Sequence, residues 1–467
     1  MGERPAWTTA FAAFAIFTGF AGDFWRNLVT WYGFGAIALG ILGVSIWLLT
    51  RKRPLPRLSH LPAPLLLFVV WCGASVIWSA YRFETTLGWL IQIITAITAL
   101  ALAVTLSKVE FVRALSWAMR AIVGLSLLFE VAVAIFFPDG VLPLSYFIIP
   151  GFLDQVSGVP GADIHSVPPG LLWSQGHIFA GAAIQGILGN RNLIGMVALL
   201  CVIVVGVQWR AGMLSRWSGA TWTVVSLAVL ALSRSATAIV GLAVVAFAVV
   251  LIVIARPLSS ARRWLLYGVV GAVMASMIAF IGLNSDEVFG LINRTGDLSG
   301  RGDIWASVAA IAEQHWLLGL GWISYWAPWL TPFKDLFVLD GVHFLQAHNA
   351  YLDAWMQVGL VGAITFGTLV VSTLIRTWWL AIDRPQTDAV GSRAIPVTSV
   401  LAFLIMVALA VQSLTESRLL IEGNWLLLCY FAIYSKLRVQ DLPALPRRTL
   451  PAHTGPILLA EREAIED

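Results

Sequence analysis

Long runs of apolar residues separated by short polar turns make up most of this chain. A helix that crosses a bilayer needs roughly 20 apolar residues, and this template predicts about twelve spans. The runs lie near 7–22, 27–50, 62–80, 86–106, 113–137, 191–208, 218–234, 236–255, 264–283, 350–376, 394–414 and 420–436. The region 218–255 fits either one hairpin or a broken pair of helices. The pattern predicts an all-α polytopic membrane protein.

Composition supports the same fold class. The chain is 59% hydrophobic and 12% charged, whereas a soluble domain averages about 25% charged residues. The 22 tryptophans suit rings anchored at membrane interfaces. Cys72, Cys201 and Cys429 lie in apolar runs, so the sequence supports neither a disulfide framework nor a thiolate metal site.

Basic residues predict the orientation, because cytoplasmic loops carry an excess of Lys and Arg. With the N-terminus in the cytoplasm, the short outer turns hold only Arg26, Arg82, Arg234 and Arg418. The cytoplasmic turns then hold the larger set Arg51, Lys52, Arg53, Arg57, Lys108, Arg210, Arg216, Arg256, Arg262, Arg263, Arg384, Arg393, Lys436 and Arg438. Both termini are therefore predicted to be cytoplasmic.

Four segments follow from this orientation. Residues 1–283 form the first nine helices, with an external loop near 138–190. Residues 284–349 form a large external loop that is partly helical and carries predicted catalytic groups. Residues 350–436 form the last three helices, and 437–467 form a cytoplasmic tail that is predicted to be disordered.

Arg234 lies between two apolar runs with almost no turn, at or just inside the outer membrane boundary. A guanidinium there is costly unless it is paired or faces a wet cavity. One interpretation is an arginine that reaches toward lipid phosphates. The other is an anion clamp in which Ser233, Ser235 and Thr237 add neutral donors.

Arg191 lies between Asn190 and Asn192, at the outer start of a predicted helix. The free N–H groups and partial positive charge of a helix N-terminus suit an anion. The alternative is that one of the two asparagines only caps the helix.

Arg301 begins an amphipathic segment that runs from Asp303 to Trp316. The residues at helical spacing on one face are Ile304, Trp305, Val308, Ile311, Ala312 and His315. The pattern predicts a helix at the outer interface or packed over the spans. In the alternative interpretation of Arg301, Asp303 simply neutralises it.

His348 directly precedes the span that starts near Ala350, at its outer end. A neutral imidazole accepts a proton from a sugar hydroxyl near neutral pH. A histidine at a helix start is alternatively a cap or a packed residue. No group of His, Asp and Glu has metal-ligand spacing and no Gly-rich phosphate loop follows a strand, so neither a metal nor another cofactor is expected.

These groups together suit a metal-independent glycosyl transfer. Arginines without obvious partners fit a diphosphate. Outside the cytoplasm the available activated sugars are linked to polyprenyl phosphates or pyrophosphates, whose tails lie in the bilayer. The hypothesis is that His348 takes the proton of an acceptor hydroxyl while arginines stabilise the leaving pyrophosphate.

Six motifs lie in order between about 189 and 365. They are Gly189-Asn190-Arg191-Asn192, Ser233-Arg234-Ser235, Gly300-Arg301 with Trp305, Gly319-Leu320-Gly321, His348-Asn349-Ala350-Tyr351-Leu352 and Gly359-Leu360-Val361-Gly362. Their order and spacing resemble the bacterial O-antigen ligase and O-antigen or exopolysaccharide polymerase family. The resemblance implies that Arg234 and Arg301 bind the pyrophosphate of an undecaprenyl-linked glycan, with His348 as general base. It also implies inverting transfer at C1 of the donor sugar, on the external face of the bacterial inner membrane.

Further residues are predicted to contact the substrates. The predicted pyrophosphate- and glycan-binding set is Asn190, Arg191, Ser233, Trp305, Asn349 and Tyr351. Many relatives carry Asn-Pro-Asn where this chain has Asn190-Arg191-Asn192, so the predicted role of Arg191 rests on its place at the helix start more than on the resemblance. Glu416, Arg418 and Glu422, in the last outer turn, are predicted to border the acceptor site.

The expected partners are the lipid-linked glycan donor, a glycan or lipid-core acceptor and membrane lipids, and no nucleic acid is expected. The family contains ligases, which move a finished glycan onto a lipid core or a protein, and polymerases, which join repeat units. Shared motifs leave both open. A transporter or flippase of lipid-linked glycans is the alternative from another class, but few charges lie inside the spans, chiefly Arg120 and Glu130.

Overall fold

The computed structural model describes residues 6–52, 54–148, 151, 153–154, 161, 163–283, 301–334, 336–339, 342–382 and 397–440. The helices within these residues are α1 (Ala6–Phe20), α2 (Gly22–Arg51), α3 (Ala63–Ala74), α4 (Arg82–Thr105), α5 (Lys108–Phe136), α6 (Ser145–Ile148), α7 (Arg191–Arg210), α8 (Arg216–Ser233), α9 (Ala236–Ala255), α10 (Ser260–Leu283), α11 (Arg301–Gln314), α12 (Ala350–Ile382), α13 (Leu401–Ser413) and α14 (Glu422–Gln440). Two short strands, β1 (Val338–Leu339) and β2 (Val342–His343), pair antiparallel.

The predicted spans coincide with helices. Six described helices, α2, α4, α5, α7, α9 and α12, are long and apolar enough to cross a membrane. Shorter apolar helices occupy three further predicted spans, at α1, α3 and α13. Helices α8, α10 and α14 lie at the remaining three. The prediction of an all-α polytopic membrane protein is confirmed.

Some boundaries differ from those predicted. The region 218–255 consists of two helices, α8 and α9, joined by Arg234 and Ser235. Helix α14 continues to Gln440, four residues into the predicted tail, because Leu437 at the start of that tail still packs against the core of the bundle. The predicted disorder of 441–467 lies outside the described residues, as does the first part of the predicted external loop, 284–300.

Helices α7, α13 and α14 lie at the centre of the bundle. Each side chain from Trp425 to Ile433 in α14 is buried, and α7 is buried over most of its length. Helix α14 packs on α4 and α12, whereas α7 packs on α5 and α8. Such burial is expected of helices that are apolar on all sides.

Helix α12 is broken at Gly359, and the chain that follows α11 packs into the break. The N–H of Gly321 donates to the C=O of Gln357 at 2.7 Å. Gly359 has φ +67° and ψ −174°, a conformation that is open essentially to glycine alone. The two glycine motifs, at 319–321 and 359–362, are therefore opposite sides of one close backbone contact.

The amphipathic segment forms α11 and packs over the spans. Ile304, Val308 and Ala312 are buried in a cluster that includes Met356 of α12. His315 is exposed, so its predicted place on the buried face is wrong. The reason is that α11 ends at Gln314, one residue earlier.

Asp353 fixes the chain on either side of β1 and β2 to α12. Its buried carboxylate accepts hydrogen bonds from Trp326 Nε1 at 3.0 Å and from Gln357 Nε2 at 2.8 Å. The N–H of Ala347 donates to the second oxygen at 3.2 Å. Asp353 therefore positions the residues that directly precede α12.

Substitution of Gly359 tests the contact at the break. Gly359→Ala is expected to destabilise the protein by about 2 kcal/mol or more, because a Cβ there would overlap the carbonyl oxygen of Leu317 in a strained backbone conformation. The measurement is the melting temperature in detergent. Gly367→Ala in the same helix is the control, since its Cβ would meet nothing within 4 Å. Equal melting temperatures for the two variants would contradict the role given to Gly359.

Candidate functional site

The carboxylate of Glu416 is buried among four side-chain donors. Its Oε1 accepts from Asn192 Nδ2 at 3.1 Å and from Arg301 at 3.2 Å. Its Oε2 accepts from Gln346 Nε2 and from His348 Nδ1, each at 2.9 Å. We call these five residues the Glu416 site.

Three parts of the chain supply the donors. Asn192 lies in the first turn of α7, Arg301 begins α11, and the other two donors lie just before α12. Glu416 itself lies in the turn after α13, and its residue is 2% exposed. The site thus lies at one end of the bundle, where α7, α11 and α12 begin and α13 ends.

Electrostatics keep Glu416 ionised. Burial by itself would raise the pKa of Glu416, but the charge and hydrogen bond of His348 and the charges of Arg301 and Arg418 lower this pKa to about 2. An ionised carboxylate only accepts hydrogen bonds. Nδ1 of His348 therefore carries the hydrogen of this bond, and Nε2 is the ring nitrogen that points away from Glu416.

The backbone at His348 directs its side chain. His348 has φ +51°, in the left-handed region that few non-glycine residues adopt. Asn349 follows and accepts from the N–H groups of Tyr351 and Leu352 at 3.0 and 3.1 Å, as a helix cap does. The cap thus falls to Asn349, which leaves the imidazole of His348 for Glu416.

Asn190 and Asn192 have different roles. The Oδ1 of Asn190 accepts from the N–H groups of Asn192 and Leu193 at 2.8 and 3.2 Å, so the cap interpretation is confirmed for Asn190. The side chain of Asn192 instead reaches Glu416. Arg191, between them, is half-buried and lies close enough to Arg301 for the two charges to repel.

The Arg234 turn is joined to the Glu416 site through Ser235. Ser235 Oγ donates to Asn192 Oδ1 at 2.9 Å and accepts from the N–H of Ala238 to cap α9. Arg234 has φ +50°, and its guanidinium is exposed toward the chain at Gly181. The two arginine motifs, at 190–192 and 233–235, therefore lie side by side.

Neutral residues of the predicted set hold the site together. Ser233 is buried and donates to the C=O of Leu230 at 2.6 Å. Trp305 Nε1 donates to the C=O of Ala347 at 3.1 Å, directly before His348. The hydroxyl of Tyr351 accepts from Ser413 Oγ at 3.2 Å. The bonds of Trp305 and Tyr351 tie α11 and α13 to the start of α12, whereas the bond of Ser233 stays within α8.

A second charged cluster lies beside the site and contains Asp23, Arg26, Tyr325, Arg418 and Glu422. Arg26 donates to Asp23 at 2.6 Å and to Glu422. Arg418 donates to the Tyr325 hydroxyl at 2.5 Å and to Glu422 at 3.2 Å. Burial would lower the pKa of Arg418, but Tyr325, Asp23 and Glu422 raise this pKa above its ordinary value. We call this set the Arg418 cluster; it pairs two of the four basic residues predicted in the short outer turns.

The structure connects residues that the sequence analysis assigned to one reaction but that lie far apart along the chain. Arg301 and His348 both contact the carboxylate of Glu416. Ser235, the residue after Arg234, donates to Asn192 of the same site. Sequence reasoning missed the central place of Glu416, which was assigned only to the border of an acceptor site. Its signal was a carboxylate in a turn of a few residues between two apolar runs, a place where a charge needs partners.

In the described part of the chain, no group of three or more His, Cys, Asp or Glu side chains is arranged to hold a metal ion. The donors around Glu416 are nitrogen groups that carry hydrogens, and these repel a cation.

Fold and site define a multi-pass membrane protein with a polar, cation-rich site at one end of its helices. Residues 221–367 match the model of the family described as O-Antigen ligase. The match includes Arg234, Arg301 and His348 but not Asn192 or Glu416.

A curated relative agrees with this match. The chain is 26% identical over 202 residues to the exopolysaccharide production protein ExoQ of Rhizobium meliloti (strain 1021). The alignment covers 40% of this chain and 45% of that relative, so the chain spans less than half of the relative's length. The resemblance to the O-antigen ligase and polymerase family is confirmed.

The pKa of Glu416 predicts a pH dependence of stability. Its folded value of about 2 lies below its ordinary value of 4.5, so Glu416 stabilises the folded state above pH 4.5 and loses this contribution as the pH falls toward 2. The melting temperature of the wild type is expected to fall more steeply in this window than that of Glu416→Gln, which has no carboxyl to protonate. Parallel melting curves from pH 5 to pH 2.5 would contradict the charged state given to Glu416.

Proposed function

We propose that the chain transfers a glycan from a polyprenyl pyrophosphate donor to an acceptor hydroxyl, without a metal and with inversion at C1. The observation that carries the proposal is that one buried carboxylate holds Arg301 and His348 side by side. A cation for a leaving diphosphate and a base for a hydroxyl are the two groups that such a transfer needs. The family resemblance points to the same chemistry.

We place this site on the external face of the inner membrane. The counts of Lys and Arg support this orientation. Arg256, from a predicted cytoplasmic turn, donates to the C=O of Ala381 at the far end of α12 from His348. In this orientation residues 284–349 are external, both termini are cytoplasmic, and the lipid tail of the donor stays in the bilayer.

The arginines supply the donor site. Arg191, Arg234 and Arg301 lie around the start of α7 and the turn between α8 and α9, and charge-assisted bonds to phosphate are among the stronger hydrogen bonds. The start of α7 adds the partial positive charge of a helix N-terminus. A diphosphate is the ligand class that such a group of cations favours.

The base acts on the acceptor. The hydroxyl proton of the acceptor passes to Nε2 of His348, and the oxygen bonds to C1 of the donor sugar from the side opposite the diphosphate. The bond between C1 and the diphosphate oxygen breaks, and its electron pair leaves with that oxygen. Attack from the opposite face inverts the configuration at C1.

The acceptor decides between two members of the same class. The family model is described as an O-Antigen ligase, whereas the relative is described as an exopolysaccharide production protein. We propose ligation onto a lipid-core acceptor first and polymerisation of repeat units as the alternative. Incubation of purified protein with a polyprenyl-pyrophosphate oligosaccharide separates them, because a ligase gives one addition to the core and a polymerase gives a ladder of lengths.

The contacts of Arg120 and Glu130, the chief charges that the sequence analysis found within the spans, support an enzyme over a transporter. Glu130 accepts hydrogen bonds from Ser174 Oγ and from the N–H groups of Gln185 and Gly186, at 2.6 to 2.8 Å. Arg120 donates to the C=O of Ser116 at 3.2 Å, within its own helix. Glu130 thus fastens the chain before α7. Movement of intact donor across vesicles without bond formation would favour the transporter instead.

Loss of the base is the first test of the mechanism. His348→Ala is expected to lower kcat by about 100-fold to 10,000-fold, because a positioned general base contributes on that order. The measurement is release of polyprenyl pyrophosphate together with a new glycosidic bond. His315→Ala, an exposed histidine of the same segment, is the matched control and should retain wild-type activity. Wild-type activity in His348→Ala would end the proposal.

Loss of the two arginines is the second test. The pair Arg234→Ala and Arg301→Ala is expected to lower kcat/KM for the donor by about 100-fold or more, because each removes a hydrogen bond to a charged group. Arg82→Ala is the control, since Arg82 is an exposed arginine in another turn predicted to be external. Unchanged donor kinetics in the double variant would exclude a pyrophosphate site at these residues.

A further inference from the structure

We propose that Glu416 is a positioning residue for the transfer, which aims the imidazole of His348 and holds Arg301 until the diphosphate of the donor replaces it. This inference rests on the proposed function. It assigns Glu416 to the donor and base machinery, in place of the acceptor border predicted from sequence. It also makes Arg301 a group that changes partner during the reaction.

Hydrogen bonding excludes Glu416 itself as the base. A carboxylate has about four lone-pair sites, and four side-chain donors already approach Glu416 within 3.2 Å. Its pKa of about 2 also makes it a weak proton acceptor at neutral pH. A group with filled acceptor sites and low basicity orients its neighbours.

Glu416 cannot swing away, because its neighbours are themselves fixed. Asn192 is held by Ser235 at 2.9 Å. The amide oxygen of Gln346 accepts from the N–H of Ser417 at 3.2 Å, so Gln346 closes a ring with the turn that carries Glu416. The imidazole is therefore held from a rigid point, with Nε2 directed away from the carboxylate.

The carboxylate of Glu416 contacts both Arg301 and His348, and it thereby couples binding of the diphosphate to proton transfer from the acceptor. As His348 takes up a proton, the imidazolium gains from the charge of Glu416, as in other paired carboxylate and histidine groups. Arg301 competes for that charge while the donor is absent. When a diphosphate draws Arg301 away, the carboxylate of Glu416 interacts more strongly with His348. The charged groups that face this pair are Arg301, Arg418 and, beside Arg301, Arg191.

The test separates binding from base chemistry. Full-length wild type, Glu416→Gln and Glu416→Asp are compared in nanodiscs with undecaprenyl pyrophosphate as the binding probe. Glu416→Gln should bind the probe at least as tightly as wild type, because Arg301 loses a competing anion, while its kcat falls by about 100-fold or more. Glu416→Asp keeps the charge and should recover part of kcat. Weaker probe binding by Glu416→Gln would overturn the inference, since a loss of structure weakens both steps.

A second readout does not depend on transfer. Diethyl pyrocarbonate labels unprotonated imidazole, and peptide mass spectrometry follows His348 alone. Loss of the carboxylate that holds Nδ1 leaves the imidazole more accessible to the reagent, so the rate of labelling of His348 at pH 7 should rise several-fold in Glu416→Gln. Glu130→Gln, which removes another buried carboxylate, is the matched control and should leave this rate unchanged.

The outcomes of the two readouts are distinct. An unchanged labelling rate of His348 in Glu416→Gln, or an equal rise in Glu130→Gln, would overturn the assignment of Glu416. If no variant binds undecaprenyl pyrophosphate but the labelling rate still rises in Glu416→Gln alone, the proposed function fails. The pairing of Glu416 with His348 then stands, but its role in glycosyl transfer does not.

Discussion

Burial of one ionised carboxylate is the constraint on which the polar end of this bundle depends. A carboxylate removed from water is costly unless donors surround it. Glu416 meets this requirement with Asn192 from α7, Arg301 from α11, and Gln346 and His348 from the chain before α12. Loss of any donor leaves the charge less compensated, so the carboxylate fixes the ends of several helices relative to one another.

The turn between α13 and α14 connects this site to the rest of the bundle. Two residues after Glu416, Arg418 enters the neighbouring cluster with Asp23 of α2 and with Tyr325. Buried ion pairs add little net stability but specify one arrangement, because a mispaired buried charge is strongly unfavourable. These contacts therefore fix α2, the chain after α11 and the turn between α13 and α14 relative to one another. That arrangement places Glu416 within hydrogen-bonding distance of its donors.

Local patterns predicted the fold well and the site in part. A helix lies at each of the spans that the apolar runs predicted. The arginine and histidine motifs identified Arg234, Arg301 and His348 as residues of one region. The pairing through Glu416 was not predictable, because it joins residues that are 68 to 224 positions apart. Asn192 was equally ambiguous: a cap and a carboxylate donor look alike in sequence, and only the packing of α7 against the Arg234 turn separates them.

In the proposed transfer, the charges around Glu416 favour the leaving group over the intact donor. Three guanidinium groups, those of Arg191, Arg234 and Arg301, belong to the elements that meet around this one carboxylate. A glycosylated polyprenyl pyrophosphate carries two negative charges, and the released pyrophosphate carries additional negative charge as the C1–O bond breaks. In the proposed reaction, fixed cations therefore stabilise the transition state more than the bound donor, which is the requirement for raising kcat. The same proposal has Arg301 pair with Glu416 before the donor binds and with the diphosphate afterwards, so its charge is compensated at both stages.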